Sequence, residues 1–199
     1  DVCYQGKKII GSAQYRKQGY ILQHGGILFG YDKELLENYH KNIFSVMEEV
    51  WASDKERVDL VIFLNGLPIM SFELKCNFAG QSYADAIEQY RLQRNPKTRL
   101  FWFKAGCIVN FAMDLNEVYM TTKLDGESTF FLPFNMGNGE GVNAGKGNPT
   151  YEDKYSVYYM WEDILKKDTV LDLINKFIFI QVKESVDELT GKKKIKETL

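Results

Sequence analysis

The sequence predicts an α/β or α+β domain built on one mixed β-sheet, and three observations favour this fold class. Two apolar runs flank an Asn-Gly pair, an amphipathic helix pattern follows them, and further strand-like runs come after the helix. This order of elements is typical of helices layered on a sheet. Aromatic residues make up 14% of the chain, with 13 Phe and 12 Tyr, which favours sheet over a helix bundle.

The amino-terminal region is expected to contain two helices before the first strand. A helix is predicted over residues 12–23, ending at Gly25-Gly26, because paired glycines interrupt regular structure. A short helix is predicted over residues 32–39. The apolar run 42–51 favours a strand, with a helix as the alternative.

The clearest local pattern is a β-hairpin around Asn65 and Gly66. Residues 58–64 and 69–75 form two strand-like runs on either side of this pair. Asn-Gly is a strong hairpin signal because both residues tolerate a positive φ. The first run is apolar on both faces apart from Asp59, so we expect it to form a central, buried strand.

One helix is predicted directly after the hairpin, over residues 82–94. Its apolar residues recur at helical spacing, Ser82 can serve as the N-cap, and Asn95-Pro96 ends it. Three further strands are expected, over residues 99–103, 106–112 and 117–122.

The carboxy-terminal part begins with a loop over residues 134–151 that is rich in Gly and Pro. Helices are predicted at 160–165 and 168–179, the second with Asp168 as its N-cap. The polar end, residues 183–199, is predicted to be an exposed hairpin or a linker that leaves the domain.

Length, charge and cysteine content restrict the class of protein. The 199 residues fit one domain, and a net charge of −2 lacks the overall basic character of many nucleic-acid-binding proteins. A case for DNA must therefore rest on local sequence. The three cysteines are widely spaced, which disfavours a zinc site or disulfides and favours a reducing cytoplasm. No apolar run approaches the roughly 18 residues of a membrane helix.

Three charged residues on the hairpin form the strongest candidate site. If the turn centres near Gly66, Asp59 lies opposite Glu73 with the two Cβ atoms about 5 Å apart. Because side chains alternate along a strand, Glu73 and Lys75 share a face. The spacing therefore predicts that Asp59, Glu73 and Lys75 converge on one side of a buried hairpin.

This arrangement indicates metal-assisted phosphodiester hydrolysis. Two close carboxylates repel each other, and Mg²⁺ relieves the repulsion with few protein ligands because it keeps several waters. Such an ion polarises a phosphoryl oxygen and helps to deprotonate water, while Lys75 could orient that water or stabilise the transition state. The alternative is structural: Asp59 caps the start of the strand, and Glu73 and Lys75 form a solvated ion pair. A second acidic-x-Lys triplet, residues 152–154, lies outside any predicted hairpin.

Residues 57–75 closely resemble the amino-terminal nuclease region of the restriction subunit (HsdR) of type I restriction–modification enzymes. This region belongs to the PD-(D/E)XK nuclease superfamily, and the shared block runs from Asp59 through Asn65-Gly66 to Glu73-Leu-Lys75. Further segments that resemble the family extend the likeness over essentially the whole chain. They are residues 22–26, 131–137, 145–149, 159–165 and 171–180.

The resemblance implies a restriction-endonuclease-like fold, with a mixed central β-sheet flanked by helices. It assigns Asp59 and Glu73 as Mg²⁺ ligands and Lys75 as the catalytic lysine. It also assigns a role to Gln89 through a Q-x-x-x-Y motif, although Gln93 stands where the family has Tyr. The alternative for Gln89 is a surface amide on the helix.

The resemblance also implies partners. The substrate would be double-stranded DNA, and the methylation (HsdM) and specificity (HsdS) subunits would complete a cytoplasmic complex without a membrane partner. ATP would bind only in a helicase-like motor, which is not in this sequence. On this interpretation residues 1–182 form the endonuclease domain and 183–199 lead to the motor. Alternatives are a non-catalytic DNA-binding or subunit-docking module with the nuclease fold, or a stand-alone repair-type nuclease of the superfamily.

A basic segment follows the site helix. Residues 91–104 contain five basic residues and no acidic one. One interpretation is an edge that contacts DNA phosphates; the other is a solvated helix end, favoured by the helix dipole, followed by a core strand. The candidate DNA-binding residues are Arg91, Arg94, Lys97 and Arg99.

Overall fold

A computed structural model gives the structure of the chain. It describes residues 2–4, 7–17, 20–27, 41–139, 141–143, 146–186 and 193–198. The chain divides into two compact units, Asp1–Asn42 and Ile43–Leu199. Each unit is described by itself.

The first unit contains a three-stranded antiparallel sheet in the order β1-β2-β3. Its strands are β1 (Val2–Tyr4), β2 (Lys7–Lys17) and β3 (Tyr20–Ile27). The helix predicted over residues 12–23 is therefore wrong. Residues 14–17 instead pair with residues 20–23 in an antiparallel ladder, so their backbone hydrogen bonds run across strands and not along a helix. The helix predicted over 32–39 lies outside the described residues.

The second unit is built on a mixed six-stranded sheet in the order β4-β5-β6-β7-β8-β9. Neighbouring strands are antiparallel except β6 and β7, which are parallel. The strands are β4 (Phe44–Ser53), β5 (Glu56–Leu64), β6 (Leu67–Leu74), β7 (Val109–Met113), β8 (Val118–Thr121) and β9 (Leu132–Pro133).

The predicted hairpin is confirmed as β5 and β6. Asn65 and Gly66 have φ values of 51° and 81°, as the Asn-Gly turn requires. Leu60 pairs with Phe72, which places Asp59 and Glu73 next to that pair in the predicted register. β5 lies between β4 and β6, which confirms the prediction of a central strand.

A helix connects the parallel strands β6 and β7, because a parallel pair needs a crossover. After a 3-10 turn (Asn77–Ala79), α1 spans Tyr83–Gln93 and confirms the helix predicted after the hairpin. Ser82 is its N-cap, in a capping box with Asp85. The chain leaves the helix at Arg94, which has an extended backbone.

The strand predicted over residues 99–103 is wrong, since these residues form turns. The backbone N–H of Cys107 donates to the Leu100 carbonyl at 2.7 Å and closes this region on itself. A Cβ atom at Gly106 would lie 2.2 Å from the same carbonyl oxygen, so the close approach requires glycine. Apolar side chains of this segment, such as Phe101, are buried in the core, although its backbone does not pair with a neighbouring strand.

Helices from the carboxy-terminal part of the chain cover the face of the sheet opposite to α1. A short π-helical turn (Met160–Ile164) precedes α2 (Lys167–Phe177), and a 3-10 turn (Gly141–Asn143) lies in the preceding loop. The N-cap of α2 is Lys166, so the prediction that Asp168 is the N-cap is wrong.

Two hydrophobic clusters show that the sheet is packed on both faces. The cluster with α1 contains Val58, Val61, Ala86 and Tyr90. The cluster with α2 contains Phe72, Phe111 and Val170. The predicted fold class, a mixed central sheet flanked by helices, is therefore confirmed.

The polar carboxy-terminal segment contains an antiparallel strand pair, β10 (Gln181–Val186) and β11 (Lys193–Thr198). Within the segment 183–199, residues 183–186 and 193–198 belong to this strand pair. Within the described part of the chain, none of the helices is long and apolar enough to cross a membrane.

Candidate active site

The ends of β5 and β6 bring the predicted site residues together. Asp59 lies on β5, Glu73 on β6, and Lys75 directly after β6. A carboxylate oxygen of Asp59, Oδ2, accepts a hydrogen bond from the backbone N–H of Leu74 at 2.7 Å. This bond ties the Asp59 side chain to the strand that carries the other two residues.

Glu73 is fully buried, with an exposed fraction of 0%. Arg94 holds it: Nε and Nη2 of the guanidinium each lie 2.7 Å from Oε1. Among the described residues, the other carboxylate oxygen, Oε2, is the buried side-chain atom without a hydrogen-bond partner. Burial raises the pKa of Glu73 to about 7, Arg94 opposes the rise, and the nearby Asp59 carboxylate adds to it.

Lys75 is fixed by the helix that covers the hairpin. Its ammonium Nζ donates to the side-chain oxygen of Gln89, on α1, at 2.5 Å. The structure therefore brings all four predicted catalytic residues to one cluster. Gln93, at the position of the family Tyr, is exposed and lies outside it. Tyr90 is buried instead, and its hydroxyl lies 2.8 Å from the hydroxyl of Ser71.

Arg94 is the site residue that sequence reasoning placed wrongly. It was assigned to an exposed basic edge, yet it is only 6% exposed. Besides holding Glu73, its Nη2 donates to the backbone carbonyl of Arg57 at 2.9 Å. A signal was present, because an acidic residue on a buried strand needs a cationic or hydrogen-bonding partner from the element that covers it.

The other three predicted DNA-binding residues differ in exposure. Lys97 and Arg99 are exposed, as a phosphate-contacting edge requires. Arg91 is half-buried, and its Nε donates to the Thr129 carbonyl at 3.0 Å. The basic edge that remains on the surface is thus shorter than the sequence suggested.

The donor set of the site fits a hard divalent cation. Asp59 and Glu73 supply carboxylate oxygens, and the buried Oε2 of Glu73 has no partner within the protein. The described residues contain no cluster of three His, Cys, Asp or Glu side chains able to enclose a metal. Two carboxylates suit Mg²⁺ rather than a fully coordinated structural metal, because Mg²⁺ retains waters and takes substrate oxygens.

The comparisons with known proteins bear on this site. The family described as type I restriction enzyme R protein N terminus (HSDR_N) matches residues 31–129, a span that includes the whole cluster. Residues 31–129 belong to this family. The match to HSDR_N covers neither residues 22–26 nor the segments from residue 131 onward that resemble the family in sequence. Residues 22–26 lie in β3.

Two archaeal relatives match more of the chain than HSDR_N does. The putative type I restriction enzyme MjaVIIIP endonuclease subunit of Methanocaldococcus jannaschii is 28% identical over 155 residues, 72% of this chain. The putative MjaIXP endonuclease subunit of the same organism is 24% identical over 164 residues, 75% of this chain. The matches cover 13% and 16% of these two relatives, so the chain spans a small part of their length.

A third match is short and of another kind. Octanoyltransferase LipM of Kyrpidia tusciae is 56% identical over 36 residues, 18% of this chain and 13% of that enzyme. A match of this length shows local similarity and does not extend to a whole enzyme domain. No solved structure matches the chain.

Proposed function

We propose that this chain is the Mg²⁺-dependent endonuclease region of a type I restriction enzyme R subunit and that it hydrolyses phosphodiester bonds of double-stranded DNA. One observation carries the proposal: Asp59, Glu73 and Lys75 meet at the paired strand ends, and a buried oxygen of Glu73 is left without a protein partner. HSDR_N membership and the endonuclease-subunit names of the archaeal relatives support it.

Each side chain of the cluster has a separate task in this proposal. Asp59 and Glu73 would hold Mg²⁺, which when bound polarises a phosphoryl oxygen and lowers the pKa of a water nucleophile. Lys75 stabilises negative charge that develops on the phosphate. An ammonium has three N–H donors, so the bond to Gln89 leaves two for water and a phosphate oxygen. Gln89 is therefore a positioning residue that aims Lys75.

The proposal places cutting within a larger assembly. The chain spans 13% and 16% of its archaeal relatives, which leaves ample length for an ATP-driven motor elsewhere in the full subunit. Methylation and specificity subunits would select the DNA, and the complex would act in the cytoplasm. The exposed Lys97 and Arg99 would contact DNA phosphates without reading sequence.

The decisive experiment is Lys75→Ala in the full-length R subunit, assembled with its modification and specificity subunits. DNA cleavage is expected to fall by at least about 100-fold, because a charge-stabilising donor is lost. ATP hydrolysis should stay unchanged. The matched control is Lys55→Ala in the exposed turn between β4 and β5, which should leave both activities intact.

The two alternatives predict different results. A non-catalytic docking module predicts that Lys75→Ala cuts DNA as well as the wild type, and this result would refute the proposal. A stand-alone repair-type nuclease predicts that the wild-type protein cuts DNA without ATP or partner subunits. Cleavage under those conditions would replace the restriction role while keeping the nuclease site.

A further inference from the structure

The contact between Arg94 and Glu73 is asymmetric. An arginine and a carboxylate commonly form a fork in which two N–H groups meet two oxygens. Here Nε of Arg94 donates to Oε1 of Glu73 at 2.7 Å, and Nη2 forms an ion pair with the same oxygen at 2.7 Å. The second oxygen, Oε2, is buried and has no protein partner in the described part of the chain.

A purely structural ion pair does not explain this geometry. A buried oxygen without a hydrogen bond is costly, and a symmetric fork would satisfy both oxygens of Glu73 with the same guanidinium. The observed pairing compensates the charge of Glu73 while leaving one oxygen open. That is the arrangement expected when the second oxygen has another ligand.

Arg94 is itself anchored to the other strand of the site. Its Nη2 also donates to the Arg57 carbonyl at 2.9 Å, two residues before Asp59 on β5. The guanidinium therefore bridges β5 to the Glu73 side chain on β6. Its position at the end of α1 adds a third element, because Arg94 is the C-cap of that helix.

We propose that Arg94 is a positioning residue that locks Oε1 of Glu73 so that Oε2 is presented to the divalent cation shared with Asp59. This inference rests on the nuclease function proposed above. It goes beyond the metal ligands and the catalytic lysine, because it assigns the metal affinity of the site in part to a residue that does not touch the metal. Partners of metal ligands commonly change metal affinity by about 10- to 100-fold.

Arg94→Lys separates charge from geometry. Lysine keeps the positive charge, but a single ammonium lacks the planar fork that spans Oε1 and the Arg57 carbonyl at once. The expected result is a loss of Mn²⁺ affinity of about 10- to 100-fold, measured at a temperature at which the variant is still folded. The control is Arg57→Lys, the same chemical change at an exposed side chain whose backbone carbonyl stays in place.

The measurement is Mn²⁺ binding to the full-length R subunit without nucleotide, followed by electron paramagnetic resonance. Asp59→Asn identifies the Mn²⁺ that belongs to this site as the one it removes. If Arg94→Lys binds that ion as tightly as the wild type, the positioning role is refuted while the metal site stands. If Asp59→Asn removes no ion, the metal site proposed for the nuclease is refuted, and the role of Arg94 falls with it.

Discussion

The chain carries two acidic-x-Lys triplets, and only one of them is built into a site. Glu73 and Lys75 lie at the end of a central strand, where Glu73 is buried against Arg94 and Lys75 is held by Gln89. The second triplet, residues 152–154, lies in an exposed irregular segment. There the Lys154 ammonium lies over the rings of Tyr158 and Tyr151, at 3.3 Å and 4.5 Å from their centroids.

The difference shows that position in the sheet, and not the triplet itself, gives the Glu73 carboxylate its buried environment. A strand buried on both faces removes Glu73 from water and so makes its charge state depend on specific neighbours. The exposed carboxylates of the second triplet are solvated, and charges in water interact weakly. Three experiments test this contrast between the buried triplet and the exposed one.

The largest expected effect comes from removing Arg94, the cationic partner of the buried Glu73. The comparison variant removes Lys154, the cation of the exposed triplet. Arg94→Met leaves the Glu73 carboxylate buried without compensation and should lower the free energy of unfolding by about 3–5 kcal/mol. Lys154→Met removes only the cation–π contacts of an exposed ammonium with two tyrosine rings and should cost at most about 1 kcal/mol. Urea unfolding of the 199-residue chain, with EDTA present, measures both.

A double variant separates the pair from the packing around it. Replacing both members, as Arg94→Met with Glu73→Leu, removes both charges and should recover most of the lost stability. Equal losses for Arg94→Met and Lys154→Met would contradict the distinction between the two triplets.

The next effect is a pH dependence that belongs to Glu73. Burial raises its pKa from the ordinary 4.5 to about 7, so between these values the folded state binds a proton that the unfolded state has released. The free energy of unfolding should therefore rise as pH falls from about 7 to 4.5, by roughly 3 kcal/mol from this group.

Two glutamine variants assign that pH dependence. Glu73→Gln should remove this contribution, while Glu152→Gln, which leaves Glu73 in place, should keep it. The comparison uses metal-free protein, with unfolding followed at several pH values. An unchanged slope in Glu73→Gln would show that the buried carboxylate is not the titrating group.

The part of the fold predicted best was the part fixed by local chemistry. The Asn65-Gly66 turn sets the hairpin register, and the alternation of side chains then places Asp59 beside Glu73 without any long-range information. The capping residue Ser82 likewise marked the start of α1. These features depend on neighbours within a few residues.

The failures arose where contacts between elements, and not the pattern within one element, decide the structure. Residues 14–17 pair with residues 20–23 in an antiparallel ladder, and the spacing of apolar residues did not reveal this pairing. Arg94 looked like one more base in a surface run, and its burial depends on Glu73, 21 residues earlier in the chain. The meeting of Asp59, Glu73 and Lys75 was thus predictable from the hairpin, whereas choosing Arg94 among the basic residues of its segment required the fold.

The smallest expected effect concerns the helices that follow the two triplets in the chain. The hydroxyl of Ser82 accepts from the backbone N–H of Ala84 at 3.3 Å and caps α1, which carries Gln89. Lys166, the N-cap of α2, makes no side-chain cap bond. Ser82→Ala should therefore lower the free energy of unfolding by about 1 kcal/mol, and Lys166→Ala should leave it nearly unchanged. Urea unfolding measures this difference, and equal effects at the two caps would show that the capping box does not support the helix over the site.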